Sequence, residues 1–282
     1  MTANRCTIAG SALFEGVGIH TGENTSVRIS PLAEERGICF GFGGRRYRIT
    51  EAEHLEARRN TAITFPGGRT VRTVEHLLSA IVGVGLDDVL IEPFGPEIPI
   101  MDGSAMPFAA RILEIGLAEK DEPKRCFSLS APVCVDIEGS SITAVPSDRA
   151  RITYIIDYPG TGIGTEMKDV ILDGETYINE IAPARTFVLQ SEVDALRSSG
   201  LGLGGDFENV TIIGADGPLN RVGYRVEREC AAHKTLDMLG DLALLGIVPK
   251  ARYTCVRGGH KLHLKLMDRL IRMVRQAADR GR

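Results

Sequence analysis

The sequence is poor in the features that mark a secreted, membrane-bound or nucleic-acid-coating chain. Six cysteines (Cys6, Cys39, Cys126, Cys134, Cys230 and Cys255) are spread over 282 residues with no C-x-x-C pair, too sparse for a disulfide framework. They read as reduced thiols of a cytoplasmic protein. The N-terminal stretch MTANRCTIAGSALFEGVGIH lacks a basic segment followed by a long apolar one, so no secretory or targeting segment is expected. The longest apolar runs, LLSAIVGVGL and LALLGIV, are short of the roughly 20 residues that span a bilayer, so no integral membrane segment is expected. Positive charge is not in excess: Lys+Arg 33 against Asp+Glu 37 gives a net charge of -4, which argues against broad nucleic-acid binding. With 43% hydrophobic and 25% charged residues the composition is globular, and an enzyme or binding protein acting as a monomer is expected.

Several familiar site signatures are also missing. The glycine-rich stretches GFGGRR, GTGIGTE and GLGLGG lack the strand, G-x-G-x-x-G, helix and downstream acid of a dinucleotide site, and the Lys-Ser/Thr of a phosphate loop. They read as turns. Neither G-x-S-x-G nor H-E-x-x-H occurs, which disfavours a serine hydrolase and a standard zincin peptidase.

What is present alternates between strand and helix patterns. CTIAGSALFEGVGIHTGENTSVRISPL and GICFGFGGRRYRIT read as short strands and hairpins. TVRTVEHLLSAIVGVGL carries Val74, Leu77, Leu78 and Ile81 at helical spacing and ends in glycines that suit a helix stop. A buried strand, DDVLIEPF, and a helix, FAARILEIGL, follow. The charged, proline-bearing AEKDEPKR reads as a domain boundary, dividing the chain into residues 1–122 and 123–282. The second part restarts with strands, passes through SEVDALRSSG and ECAAHKTLDMLGDLALLG as helices, and closes with a strand at ARYTCVRGG and an amphipathic helix. The pattern therefore points to the α+β class, two related units packed against each other.

The helix ECAAHKTLDMLGDLALLG holds the most informative residues. His233, Asp237 and Asp241 stand four apart among Ala, Leu and Met, and residues i and i+4 lie on one helix face. That spacing suits a metal pair, and it equally suits an ordinary helix ion pair. The apolar surroundings call for a cation or compensating hydrogen bonds, because unpaired carboxylates buried there are costly. Glu75 and His76 in TVEHLLSA diverge by about 100° around their helix, an arrangement compatible with one ligand and one base but uninformative alone. His260 follows two glycines in RGGHKLHL, at the end of an element. His54 reads as a surface residue, and His20 is left open.

Taken in order, EGVGIHTGE, TVEHLLSAIVGVGLDDVLIE, PEIPIMDGSAMPF, ARTF, GLGLGG, HKTLDMLGDLALLG and the final GGH closely resemble the UDP-3-O-acyl-N-acetylglucosamine deacetylases of lipid A synthesis. The resemblance spans essentially the whole chain. It implies a zinc amidase that removes the N-acetyl group of a UDP-linked acylated amino sugar and releases acetate, with its active site between two related α+β domains, each a sheet with paired helices. It implies His76, His233 and Asp237 as ligands of Zn2+, a set that Fe2+ also tolerates. By the same resemblance Glu75 is the general base, Thr186 of ARTF helps hold the oxyanion, and His260, oriented by Asp241, assists the leaving amine. Lys234 is implied on the substrate's polar head. Arg257 is a second candidate cation for the diphosphate, while Phe187 and Ile19 border the sugar and the acyl chain, with residues 157–181 contributing the acyl passage. A paralogous amidase for another N-acetylated nucleotide sugar, or a silent nucleotide-sugar binder, would carry a similar sequence.

The chain departs from the family pattern in two places. After GGH it reads KLHLKLM, with His263 where the family usually carries an asparagine-bearing run, and RRNTAITFPG is shorter than expected near the acyl entrance. Acyl-length selectivity therefore does not carry over.

Overall fold

A computed structural model of the chain describes residues 4–57, 59–124 and 126–280. Two five-stranded mixed sheets form its framework. Across the first lie strands Ala12–Val17, Asn24–Pro31, Val89–Pro93, Ile38–Phe42 and Arg45–Arg48, in that order. Across the second lie Val133–Ile137, Ser140–Pro146, Ala251–Val256, Arg151–Tyr158 and Gly164–Ile171. In both sheets the last strand in sequence enters the centre, antiparallel to one neighbour and parallel to the other. A parallel partner needs a crossover, and in each half that crossover carries a helix. The shared strand order is what two related α+β units require.

Burial alternates along Asn24–Pro31 and Arg151–Tyr158, because each sheet turns one face toward the helices. The helix preceding the central strand is Glu75–Gly83 in the first half and Glu229–Ala243 in the second. Met106–Ile115 and His260–Arg280 follow that strand. The crossovers also carry extra pieces: a three-stranded sheet (Glu53–Ala57, Asn60–Phe65, Arg69–Arg72) in the first half, and a parallel pair (Phe187–Leu189, Thr211–Ile213) with helix Val193–Ser198 in the second.

Helix Glu229–Ala243 belongs to two cores at once. Ala232, Leu236, Leu239 and Ala243 pack into the first sheet's core, while Ala231, Met238 and Leu242 pack into the second's. A helix buried on both flanks has only a narrow stripe left for polar residues, and that stripe carries His233, Asp237 and Asp241. Gly240 makes the crossing with helix Glu75–Gly83 possible: a Cβ there would overlap the Glu75 carbonyl. The close approach brings Glu75 and His76 beside Asp237.

The charged run AEKDEPKR is not a free linker. Most of it lies in strand Leu117–Pro123, paired antiparallel with Asn4–Ile8. Lys120 donates to Asp88 at 3.0 Å and to the carbonyls of Leu32 and Glu35, so the run is stitched to the first sheet. His54, expected at the surface, is half-buried in strand Glu53–Ala57, and its Nδ1 has no hydrogen-bond partner among the described residues. Among the described residues no helix is long and apolar enough to cross a membrane. Among the described residues Cys39, Cys126, Cys134, Cys230 and Cys255 are free thiols.

Candidate metal centre and active-site cleft

Helix Glu75–Gly83 begins with two functional side chains because its first turn faces the second half of the chain. Glu75 is 2% and His76 4% exposed. His76, His233 and Asp237 converge so that one ligand atom from each lies within 4.8 Å of the others. Asp237 Oδ1 stands 3.2 Å from His233 Nε2 and 3.9 Å from His76 Nε2. His233 Nδ1 donates to the Ala184 carbonyl at 3.0 Å, which leaves Nε2 facing the cluster as its ligand atom. Burial, reinforced by the neighbouring His233, pushes His76 down to about 3, so it offers a lone pair. Burial works against the charge on Asp237, yet His233 and Lys234 outweigh it and hold the carboxyl well below its usual range. Asp237 Oδ2 accepts from Lys234 Nζ at 2.8 Å, whereas buried Oδ1 has no hydrogen-bond partner among the described residues. Two imidazole nitrogens and an anionic oxygen aimed at one point fit a divalent cation.

Beside this group stands a second one. Asp241, 0% exposed, accepts from Thr61 Oγ1 at 2.5 Å on Oδ1, and on Oδ2 from His260 Nδ1 at 2.8 Å and His263 Nδ1 at 2.7 Å. Those donors overcome burial and set its carboxyl at about 2. His260 responds in the opposite sense: burial disfavours its charge, but Asp241 wins and raises it to about 9. Its Nε2 faces Glu75 Oε1 and Asp237 Oδ2, each at 3.8 Å. Glu75 is raised by burial to about 8, against the pull of His260, and accepts from the Thr61 N–H at 3.2 Å. A buried carboxylate with such a value is suited to taking a proton near neutral pH.

A cavity of about 430 Å³ opens over the cluster, lined by Ile19, Glu75, His76, Thr186, Phe187, His233, Lys234, Asp237 and His260 among others. Thr186 is placed by backbone bonds to Gly103 and Thr211. Its neighbour Arg185 is locked on buried Glu229 by Nε at 2.8 Å. Phe187 sits edge-on to His233 and under the Lys234 ammonium, 5.7 Å from its ring centre. Ile19 is carried by a loop clasped by buried Glu97, whose carboxylate accepts from the His20 and Thr21 N–H groups and from the Thr21 and Thr73 hydroxyls. Gly204 of GLGLGG packs on that loop so closely that a Cβ would overlap the Gly18 carbonyl.

Two expectations are corrected by this geometry. Arg257 does not line the cavity: it is exposed, and its guanidinium donates to the Gly139 carbonyl at 2.6 Å. Of residues 157–181 only Tyr158 reaches the cavity, and its apolar wall comes instead from Ile19, Ile100, Val188, Leu196, Val210 and Ile212. The cavity also contains His20, left open from sequence, and residues that the sequence did not single out, among them Arg59, Arg197 and Lys261. Thr61 and His263 support the site from behind. Thr61 lies in the RRNTAITFPG stretch, and no spacing pattern links it to residues about 180 positions away.

A cation-binding trio next to a buried carboxylate and a carboxylate-held imidazole, in a cleft between two alike α+β halves, defines a metal-centred hydrolytic site. The chain belongs to the UDP-3-O-acyl N-acetylglycosamine deacetylase (LpxC) family, whose model matches residues 5–272. Among similar proteins, the UDP-3-O-acyl-N-acetylglucosamine deacetylase of Phenylobacterium zucineum is 37% identical over 270 residues, covering 94% of this chain and 92% of that protein. The protein of the same name from Thermosynechococcus vestitus is 37% identical over 92% of this chain and 91% of its own. That of Nostoc sp. is 36% identical over 94% and 97%.

Proposed function

We propose that the chain hydrolyses the acetamide of a UDP-linked, 3-O-acylated N-acetylglucosamine in lipid A biosynthesis, releasing acetate and the free amine. The observation that carries this reading is the convergence, in one partly apolar cleft, of Glu75, the trio His76, His233 and Asp237, and the Asp241-held His260. Zn2+ suits two histidines and an aspartate, with Fe2+ as the alternative. When bound, such a cation acidifies water and polarises a carbonyl oxygen.

The protein's own groups do the rest. Glu75 takes a proton from the attacking water as the C–O bond forms at the acetamide carbon. The Thr186 hydroxyl donates to the oxygen on which negative charge develops. His260, kept charged and oriented by Asp241, gives the amine nitrogen its proton as the C–N bond breaks, and acetate leaves. Lys234 meets the polar head of the sugar, and Phe187 and Ile19 flank the ring and the start of the acyl chain. The cations lining the cleft, Arg59, Arg197 and Lys261, offer charge for the diphosphate in place of Arg257. The acyl chain runs along the wall built from residues 187–212.

The division at residues 122 and 123, cytoplasmic residence and action as a monomer belong to the same proposal. Turnover of acylated against unacylated UDP-N-acetylglucosamine tests the substrate. The reading expects kcat/KM to favour the acylated form by about 100-fold or more, a gain that burial of several methylenes supplies. Equal turnover of the two would mean a different N-acetylated nucleotide sugar.

A further inference from the structure

His263 lies one turn into helix His260–Arg280, on the same face as His260, and is 1% exposed. Its two ring nitrogens are both engaged. Nδ1 lies 2.7 Å from Asp241 Oδ2, and Nε2 lies 2.9 Å from the hydroxyl of Tyr154, a residue wholly buried in the second sheet. The carboxylate only accepts, so Nδ1 carries the proton facing it. Burial holds His263 below its ordinary value, so the ring is neutral and Nε2 accepts the Tyr154 hydroxyl proton. Tyr154 thus fixes the tautomer that makes His263 a donor to Asp241.

Asp241 carries the hydrogen-bonded link from this pair to His260, whose ring also meets that of His263 edge-on at 5.9 Å. Thr61 holds one of its oxygens, and His263 and His260 share the other. Held on both oxygens, the carboxylate cannot turn about its own axis. Its direction sets where His260 Nε2 points, which is toward Glu75 Oε1 and Asp237 Oδ2.

We propose that His263 is a positioning residue for the deacetylation: it fixes Asp241 against rotation and so holds His260 in its working orientation. The inference rests on the role given above to His260. His263 touches neither the cation-binding trio nor the cavity, so its effect appears in turnover rather than in substrate or metal binding.

Two amides separate this from packing. In His263→Asn the side-chain nitrogen falls near the former Nδ1 and still donates to Asp241. In His263→Gln the amide falls near the former Nε2 and meets Tyr154 instead. Purified variants are compared for kcat, KM, bound metal and thermal unfolding. His263→Asn should keep kcat within about threefold of the unsubstituted protein, while His263→Gln loses about tenfold or more. KM and bound metal should stay unchanged in both. Equal kcat in the two variants overturns the proposal, whether both stay high or both fall, because the donor to Asp241 then makes no difference. If His263→Gln fails to fold, Asn against Leu gives the same contrast, since Leu fills volume and donates nothing. His260→Ala tests the underlying reading separately. Unchanged kcat there removes the role of His260 and this inference with it, whereas a fall there with equal Asn and Gln variants removes this inference alone.

Discussion

At the scale of single residues, the site was legible where chemistry follows helical spacing. His233 and Asp237 could be paired from sequence because an i, i+4 interval on one helix fixes their geometry. Glu75 and His76 could not, since their value depends on a contact between helices about 160 positions apart. Thr61 shows the limit most clearly: a threonine in a strand carries no signal, yet it donates through its N–H to Glu75 and through its hydroxyl to Asp241. Replacing it with Val removes the hydroxyl and keeps the shape. Thr61→Val should lower kcat by about tenfold with the bound metal unchanged, as measured by steady-state kinetics beside elemental analysis. Glu75→Gln removes the proton acceptor itself and should cost on the order of 10² or more in kcat. Near-native turnover in that variant would assign the base elsewhere.

At the scale of elements, strong apolar periodicity and glycine stops placed helices Glu75–Gly83, Met106–Ile115 and Glu229–Ala243 correctly. The run AEKDEPKR gave no strand signal because strand Leu117–Pro123 is polar and lies against a single partner strand, where β-formers are not required. The cavity's apolar wall was not found from sequence because residues 187–212 combine short strands, a short helix and glycine turns, none with a clear period. The crossing of helices Glu75–Gly83 and Glu229–Ala243 depends on Gly240, whose role sequence reading could not assign without knowing what lay opposite. Gly240→Ala puts a Cβ into the Glu75 carbonyl, and overpacking of this kind costs about 1–3 kcal/mol. Thermal unfolding should shift down accordingly, and metal affinity should weaken because His76 moves away from Asp237. A variant that binds metal as tightly as the parent would show that the crossing does not set the trio.

At the scale of the whole molecule, the two sheets share one strand order and one placement of helices, and the cleft lies where the helices preceding their central strands meet. Polarity at that junction is supplied by a few buried charges, each with partners. Away from the cleft, Asp88 plays a similar part for the first sheet. It is 0% exposed and joins Arg5, Lys120 and the Gly37 N–H. Burial works to raise its carboxyl, but Arg5, Gly37 and Lys120 prevail and hold it below 3.8. A carboxyl depressed in the folded state adds stability that is complete above its unfolded value of 3.8 and is lost as pH falls through the folded value. Asp88→Asn should therefore lower the unfolding midpoint at neutral pH by roughly 5 °C, and the gap to the parent should narrow below pH 3.8. A constant gap across that range would assign the effect to packing.

The most direct test of metal-dependent deacetylation is acetate release from the acylated UDP-N-acetylglucosamine by metal-loaded and chelator-stripped protein. The loaded enzyme should release one acetate per substrate consumed. Stripping should abolish turnover, stoichiometric Zn2+ should restore it, and His76→Ala should resist restoration. Acetate release that survives stripping, or none from the loaded protein, would contradict the account.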